Sequence, residues 1–254
     1  MHPILFQFDS FKIYAYGFFI AVGFIVGLAL AMLRARREGI PFENIVDLFF
    51  YTVLSAFLGS RILFVLINLD DYRQDPLKIF KLWEGGLVFY GGLILAAMVA
   101  VLYMRRHQLP VWKLADLISP LIALGLFFGR IGCFLAGCCY GKETSVPWGV
   151  VFRNPESLAR LNVSLHPTQL YDAVNGLAIF FFLSWKQKRK AFDGQIFWLF
   201  LLLYSITRFL IEMVRGDPRG FLFGGSLSTS QAVGVVLAIF SFFMLFYIGK
   251  KYRR

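Results

Sequence analysis

The sequence is short of charge and short of the groups most enzymes use. Only 16% of its 254 residues are charged, and Asp and Glu together number 15. That scarcity excludes an ordinary soluble surface. Histidines number three and cysteines three. The cysteines, Cys133, Cys138 and Cys139, fall within seven positions, which excludes a disulfide framework. Their spacing also lacks the fourth ligand of a structural zinc site, so no metal and no cofactor are expected. The N-terminal stretch MHPILFQFDSF has no basic region ahead of its first apolar run, and that run is too long for a leader core. A membrane span is expected there, with no cleavable leader. No linker, low-complexity stretch or clear repeat interrupts the chain, so residues 1–254 read as a single domain.

What is present is apolar. Hydrophobic residues make up 58% of the chain and the mean hydropathy is +0.67. The composition predicts an all-α, polytopic membrane protein with the lipid bilayer as its solvent. Segments of roughly 13–34, 45–68, 86–104, 116–139, 168–185, 194–215 and 226–248 are long enough to span, giving about seven transmembrane helices. The formal net charge of +11 comes in short clusters between these segments. It therefore reads as a topology signal, and no nucleic-acid partner is expected. RARRE follows the first segment, MRRH with Lys113 the third, KQKRK the fifth and KKYRR the seventh. The opposite connections carry Asp9, Asp70, Asp71, Asp75, Glu84, Glu143 and Glu156. The positive-inside rule then predicts an outside N-terminus and a cytoplasmic C-terminus.

Against this background the arginines inside apolar segments stand out. Arg61 lies in AFLGSRILFVLI, Arg130 in LGLFFGRIGCFLA and Arg208 in LLLYSITRFLIE, with Arg215 close behind. An arginine near a bilayer centre costs about 2.5–3.5 kcal/mol. Arg61, Arg130 and Arg208 are each expected roughly 14–16 residues into an outward-running helix, at one depth in the outer half of the membrane. Such a set suggests a buried site for an anionic ligand. Tyr204, Arg208, Glu212 and Arg215 share one helix face at spacings of four, four and three. Glu212 can pair with either arginine, and an internal salt-bridge ladder is the plainer alternative.

Other elements carry weaker signals. GRIGCFLAGCCYGKET places Gly129, Gly132, Gly137 and Gly141 around Arg130, suited to close helix packing or to a headgroup. KLWEGGLVFYGGLI puts Gly85, Gly86, Gly91 and Gly92 on either side of Tyr90, a loop whose amides could cradle phosphate. LHPTQLYDA offers His166, Gln169, Tyr171 and Asp172. Tyr14 reads as an interfacial anchor, and Tyr16 as an anchor or site lining. Cys138 or Cys139 could serve as a catalytic thiol beside Arg130, or all three cysteines as small packing residues.

Taken together, these pieces resemble bacterial prolipoprotein diacylglyceryl transferases, in family order and over essentially the whole chain. AYGFFIAVGF resembles the family's first-helix motif and LGSRILFVLIN the second. GRIGCFLAGCCYG is similar to the family signature, LHPTQLYDA to its His-Pro-Ser-Gln-Leu-Tyr-Glu element, and YSITRFLIEMVRGD to its late motif. The resemblance implies a transferase of the bacterial inner membrane, acting toward the outer leaflet. It would move diacylglycerol from phosphatidylglycerol to the lipobox cysteine of a prolipoprotein, as a thioether, releasing glycerol-1-phosphate. For that reaction Arg130 and Arg208 are expected to hold the phosphate as catalytic residues, with Tyr90 or His166 accepting or orienting the thiol proton. Tyr16, Arg61, Gly91, Gly92, Gly141, Tyr204, Glu212 and Arg215 would bind or frame substrate. The chain departs from the family at three positions. Tyr90 stands where the family has the histidine proposed as general base, Cys133 where it has an asparagine, and Cys138 where it has a glutamate. The alternatives are a related transferase with a changed acceptor or base, and a lipid or anion transporter.

Overall fold

The computed structural model describes residues 1–8, 11–81, 85–217, 220–222 and 227–252. Asp9, Glu84 and the last two arginines of KKYRR lie outside the described residues. In chain order the elements are β1 (Ile4–Phe8), β2 (Phe11–Tyr14), α1 (Ala15–Arg37), α2 (Phe42–Ile67), α3 (Leu69–Gln74), a 3-10 turn (Pro76–Phe80), α4 (Phe89–Arg106) and α5 (Val111–Ala136). They continue with β3 (Val150–Val151), β4 (Ser164–Leu165), α6 (Thr168–Gln187), α7 (Gln195–Glu212), β5 (Phe221–Leu222), β6 (Leu227–Ser228) and α8 (Thr229–Tyr252). The strands make three antiparallel two-stranded ribbons between helices, and the class is the expected all-α membrane protein.

Among the described residues six helices are long and apolar enough to cross a membrane: α1, α2, α4, α5, α7 and α8. In a bilayer such segments must satisfy their backbone internally, which favours helix throughout. The seventh expected span is also helical, as the 20-residue α6. Thr168, Gln169, Asp172 and Asn175 lower the apolarity of its first two turns, and three of these four are buried. α8 turns Ile239, Phe242 and Phe246 outward, as a lipid-facing helix does. The basic residues Arg34, Arg36 and Arg37 end α1, Arg105 and Arg106 end α4, and Lys250 and Lys251 end α8. Each group sits at the negative end of its helix dipole.

The described residues fall into two compact units, 32–114 and the remainder. Within residues 32–114, α2 packs on α4 at a close crossing. A Cβ at Gly91 would collide with the Gly59 carbonyl oxygen, and one at Gly92 with the Ser60 hydroxyl. The absence of side chains there lets the two backbones approach. Lower on the same pair, the Tyr103 hydroxyl donates to Asp47 at 3.3 Å, and its ring stacks on His107 at 4.3 Å.

In the other unit, Ala123, Ile179, Leu183, Ile196 and Phe200 form a core shared by α5, α6 and α7. The fully buried Asp116 of α5 anchors the start of α7. Its carboxylate accepts from the Gly194 amide at 2.9 Å, the Phe197 amide at 3.0 Å and the Lys190 ammonium at 3.1 Å. It thus caps orphan donors at a helix N-terminus, where negative charge is favoured. Burial lowers the pKa of Lys190, but its hydrogen bond to Asp193 and the Asp116 carboxylate outweigh this and hold it above the ordinary lysine value.

Candidate active site

Three of the sequence-predicted arginines converge on one carboxylate that the sequence reading did not rank as a site residue. Asp172 sits in the second turn of α6, 4% exposed. Its Oδ2 accepts from Arg130 Nε at 3.2 Å, Arg208 Nη1 at 3.3 Å and Arg215 Nη1 at 3.5 Å. Glu212 adds a second carboxylate, 2.7 Å from Arg208 Nη2 and 4.0 Å from Arg215 Nε. The Ser228 hydroxyl donates to the other Glu212 oxygen at 2.9 Å. Asp217 takes Arg215 in a two-pronged pair, at 3.0 Å and 3.2 Å. Three guanidinium groups therefore face three carboxylates in a buried cluster. The expected ladder along α7 is present, but its hub comes from α6. The available signal was Asp172 itself, an acid inside an apolar helix.

The partners of Arg130 leave it with spare donors. Among the described residues its guanidinium has an ion-pair partner only through Nε, so both Nη groups are without one. Its side chain keeps 17% of its surface exposed. A guanidinium edge of this kind is shaped for a phosphate or carboxylate in bidentate geometry. Tyr204, one turn before Arg208, stacks on Phe200 and lies within electrostatic reach of Arg130. Tyr16, in the first turn of α1, packs against Gly132, with Arg130 and the three cysteines as the ionisable groups it faces.

The loop after α5 is stitched to this cluster by backbone hydrogen bonds. Gly141 N donates to His166 O at 2.9 Å, Lys142 N to Val214 O at 2.8 Å, and Gly216 N to Tyr140 O at 3.1 Å. A Cβ on Gly141 would meet the His166 and Val214 carbonyl oxygens at 2.6 Å and 2.8 Å, so only glycine fits between the strands. His166 is brought to this seam, where its Nδ1 lies 3.2 Å from the Tyr171 hydroxyl. Tyr171 in turn accepts from Trp148 Nε1 at 2.7 Å. All three cysteines are free.

Arg61, Tyr90, Gly91 and Gly92 belong to the unit of residues 32–114. Arg61 donates from Nε to Ile79 O, from Nη1 to Gly85 O and Gly86 O, and from Nη2 to Lys78 O and Lys81 O. An arginine has five N–H donors, so its inventory is spent on main chain. Phe64 and Tyr72 flank the guanidinium at 5.8 Å and 5.5 Å. The same residues, with Asp71, line a cavity of about 380 Å³. Gly91 and Gly92 are engaged in the α2–α4 crossing, and Tyr90 opens α4 with 37% of its surface exposed. Arg61, Arg130 and Arg208 each lie within about two turns of the C-terminal end of their helix, deeper into α2 and α5 than the sequence spacing suggested.

These features define a class: a polytopic helical membrane protein with a buried arginine–carboxylate cluster. The family described as prolipoprotein diacylglyceryl transferase matches residues 3–247, and the chain belongs to that family. A phosphatidylglycerol–prolipoprotein diacylglyceryl transferase of Clostridium tetani is 36% identical over 244 residues, covering 96% of each chain. A second such protein, from Clostridium perfringens, is 37% identical over 239 residues, 94% of this chain and 92% of its own. One from Chromohalobacter salexigens is 38% identical over 241 residues, 93% and 88%.

Proposed function

We propose that the chain transfers the diacylglyceryl group of phosphatidylglycerol to the lipobox cysteine thiol of a prolipoprotein. The sulfur attacks the glyceryl carbon and forms a C–S bond. The C–O bond to phosphate breaks, its electron pair leaves with glycerol-1-phosphate, and the thiol proton passes to solvent. Negative charge moves from sulfur to the departing phosphate, so the chief demand is a fixed cation at the leaving group. The observation that carries this reading is the Nη edge of Arg130, which has no ion-pair partner among the described residues, beside the Asp172 hub. Arg130 holds the phosphate. Arg208 is the second cation at that group, oriented by Glu212 and Asp172. Arg215, Tyr204, Tyr16 and Gly141 frame the same site, and His166 is the nearby imidazole available for proton transfer. Arg61, Gly91 and Gly92 hold the fold of residues 32–114, where Tyr90 opens α4, and the chain as a whole is read as one transferase domain.

The basic clusters closing α1, α4 and α8 support an outside N-terminus, a cytoplasmic C-terminus and a site facing the outer leaflet of the bacterial inner membrane. A transporter is not favoured, because the family and the curated relatives are named as transferases. The test is direct. Purified protein, labelled phosphatidylglycerol and a lipobox peptide should give the thioether and free glycerol phosphate. Near-full transfer by Arg130→Ala would overturn the assignment.

A further inference from the structure

We propose that Cys133, Cys138 and Cys139 form a thiolate site for a soft divalent metal ion, zinc above all, with an open position that receives the acceptor thiol. The proposal rests on the transferase reading above. The three Sγ atoms all lie within 4.8 Å of one another. Zinc–sulfur bonds of about 2.3 Å in tetrahedral geometry put ligating sulfurs roughly 3.8 Å apart, so closure asks about half an ångström of each side chain. In the sequence the spacing and the lack of a fourth ligand argued against a metal. The backbone reverses that. Gly137 at φ +79° ends α5, and Cys139 at φ +63° turns the chain again. Cys138 Sγ thereby returns to 3.8 Å from the Cys133 carbonyl oxygen.

The loop is held in that shape from outside. The buried Gln169 Nε2 donates to the Cys138 carbonyl and the buried Thr168 Oγ1 to the Cys139 carbonyl, both at 2.8 Å. The Oε1 of the same Gln169 amide is buried without a partner among the described residues. Cys133 follows Arg130 by three residues on α5, so the sulfur cluster and the phosphate-binding edge occupy adjacent turns. The chemistry fits the position. Three protein ligands and an open fourth site are the pattern of catalytic zinc, and a coordinated thiol is deprotonated outright. Three thiolates on a zinc ion leave one net negative charge, so a fourth thiolate stays electron-rich, while Arg130 and Arg215 offset the excess. On coordination the acceptor loses its proton to water. Its sulfur then forms the C–S bond as the C–O bond to phosphate breaks, and zinc is neither oxidised nor reduced. Such a site supplies thiolate in a chain with Tyr90 where the family resemblance has a histidine.

The test uses the full chain in detergent under reductant, loaded with zinc or cobalt(II) and washed. About one equivalent of metal per chain is expected. Cobalt should show thiolate-to-metal charge-transfer absorption, and its d–d bands should shift when a lipobox peptide is added but not when the cysteine-to-serine peptide is. Cys133→Ser, Cys138→Ser and Cys139→Ser should each lower retained metal at least tenfold while keeping the thermal transition of the metal-free protein. Chelation should cut thioether formation, and zinc should restore it. Arg130→Ala should keep the metal and lose transfer, which separates this proposal from the transferase reading. Substoichiometric metal, equal retention by the serine variants, a cobalt spectrum blind to the peptide thiol, or a native disulfide among these cysteines would each overturn it. If the wild type binds metal and peptide thiol but forms no thioether, the transferase reading fails instead.

Discussion

Arg61 and Arg130 are both arginines near the end of an apolar helix, and they are satisfied in opposite ways. Arg61 spends five donors on five neutral carbonyls, keeping its charge but offering no free hydrogen. Arg130 pairs its charge with Asp172 through one nitrogen, and among the described residues neither Nη group has an ion-pair partner. Formal charge alone therefore does not mark a ligand site. Donor inventory does: a guanidinium fully engaged with backbone is a brace for a loop, and one with a spare edge is a clamp. The comparison assigns Arg61 to holding the carbonyls of Lys78, Ile79, Lys81, Gly85 and Gly86, and Arg130 to chemistry.

Substitution at the two sites should separate these roles. The largest effect is expected at Arg130. Arg130→Ala should lower transfer about 100- to 1000-fold, the usual loss for one preorganised donor at a developing charge. Arg130→Lys, with charge but no fork, should recover only part of it. Labelled phosphatidylglycerol turnover checks both, and equal activity of the Lys and Ala variants would break the comparison. Next comes the hub. Asp172→Asn leaves three guanidinium groups short of a buried countercharge and should cost about 3 kcal/mol of stability. Thermal unfolding in detergent reads that loss. Arg61→Ala should act through folding by about 2 kcal/mol, since it strips donors from carbonyls that then lack partners. Its activity loss should track the folded fraction seen by size-exclusion chromatography. A well-folded, inactive Arg61→Ala would move Arg61 to the ligand side of the comparison.

The smallest effect is a pH dependence far from the site. Lys190 titrates above the usual lysine pKa of 10.5 in the folded chain. Its contribution is fully present below the unfolded value and fades as pH rises through the raised one. Unfolding midpoints should fall slightly on the alkaline side, and a Lys190→Met variant should lose that step.

Much of the fold was legible. The apolar runs located the helices, because hydropathy and length decide spanning segments almost unaided. The sequence also picked out Arg130, Arg208, Glu212 and Arg215, because charges inside apolar helices are conspicuous. Asp172 was not ranked, since it belongs to a helix whose polar start looked like a loop, and its arginine partners lie 36 to 43 residues away in sequence. The closeness of the three cysteines was hidden for a local reason. Two residues at positive φ reverse the chain, and only one of them is a glycine. The fully engaged state of Arg61 was hidden too, because backbone carbonyls carry no sequence signature.

Asp116 has a consequence for how the chain is made. It lies on α5 but secures the start of α7, 78 residues later. Membrane proteins are synthesised from the N-terminal end, so the carboxylate is already in place when the 194–197 amides arrive. Until then it is an acid near a membrane boundary with no helix to hold. The pairing thus gives the entry of α7 a capping carboxylate that was made 78 residues earlier, on α5.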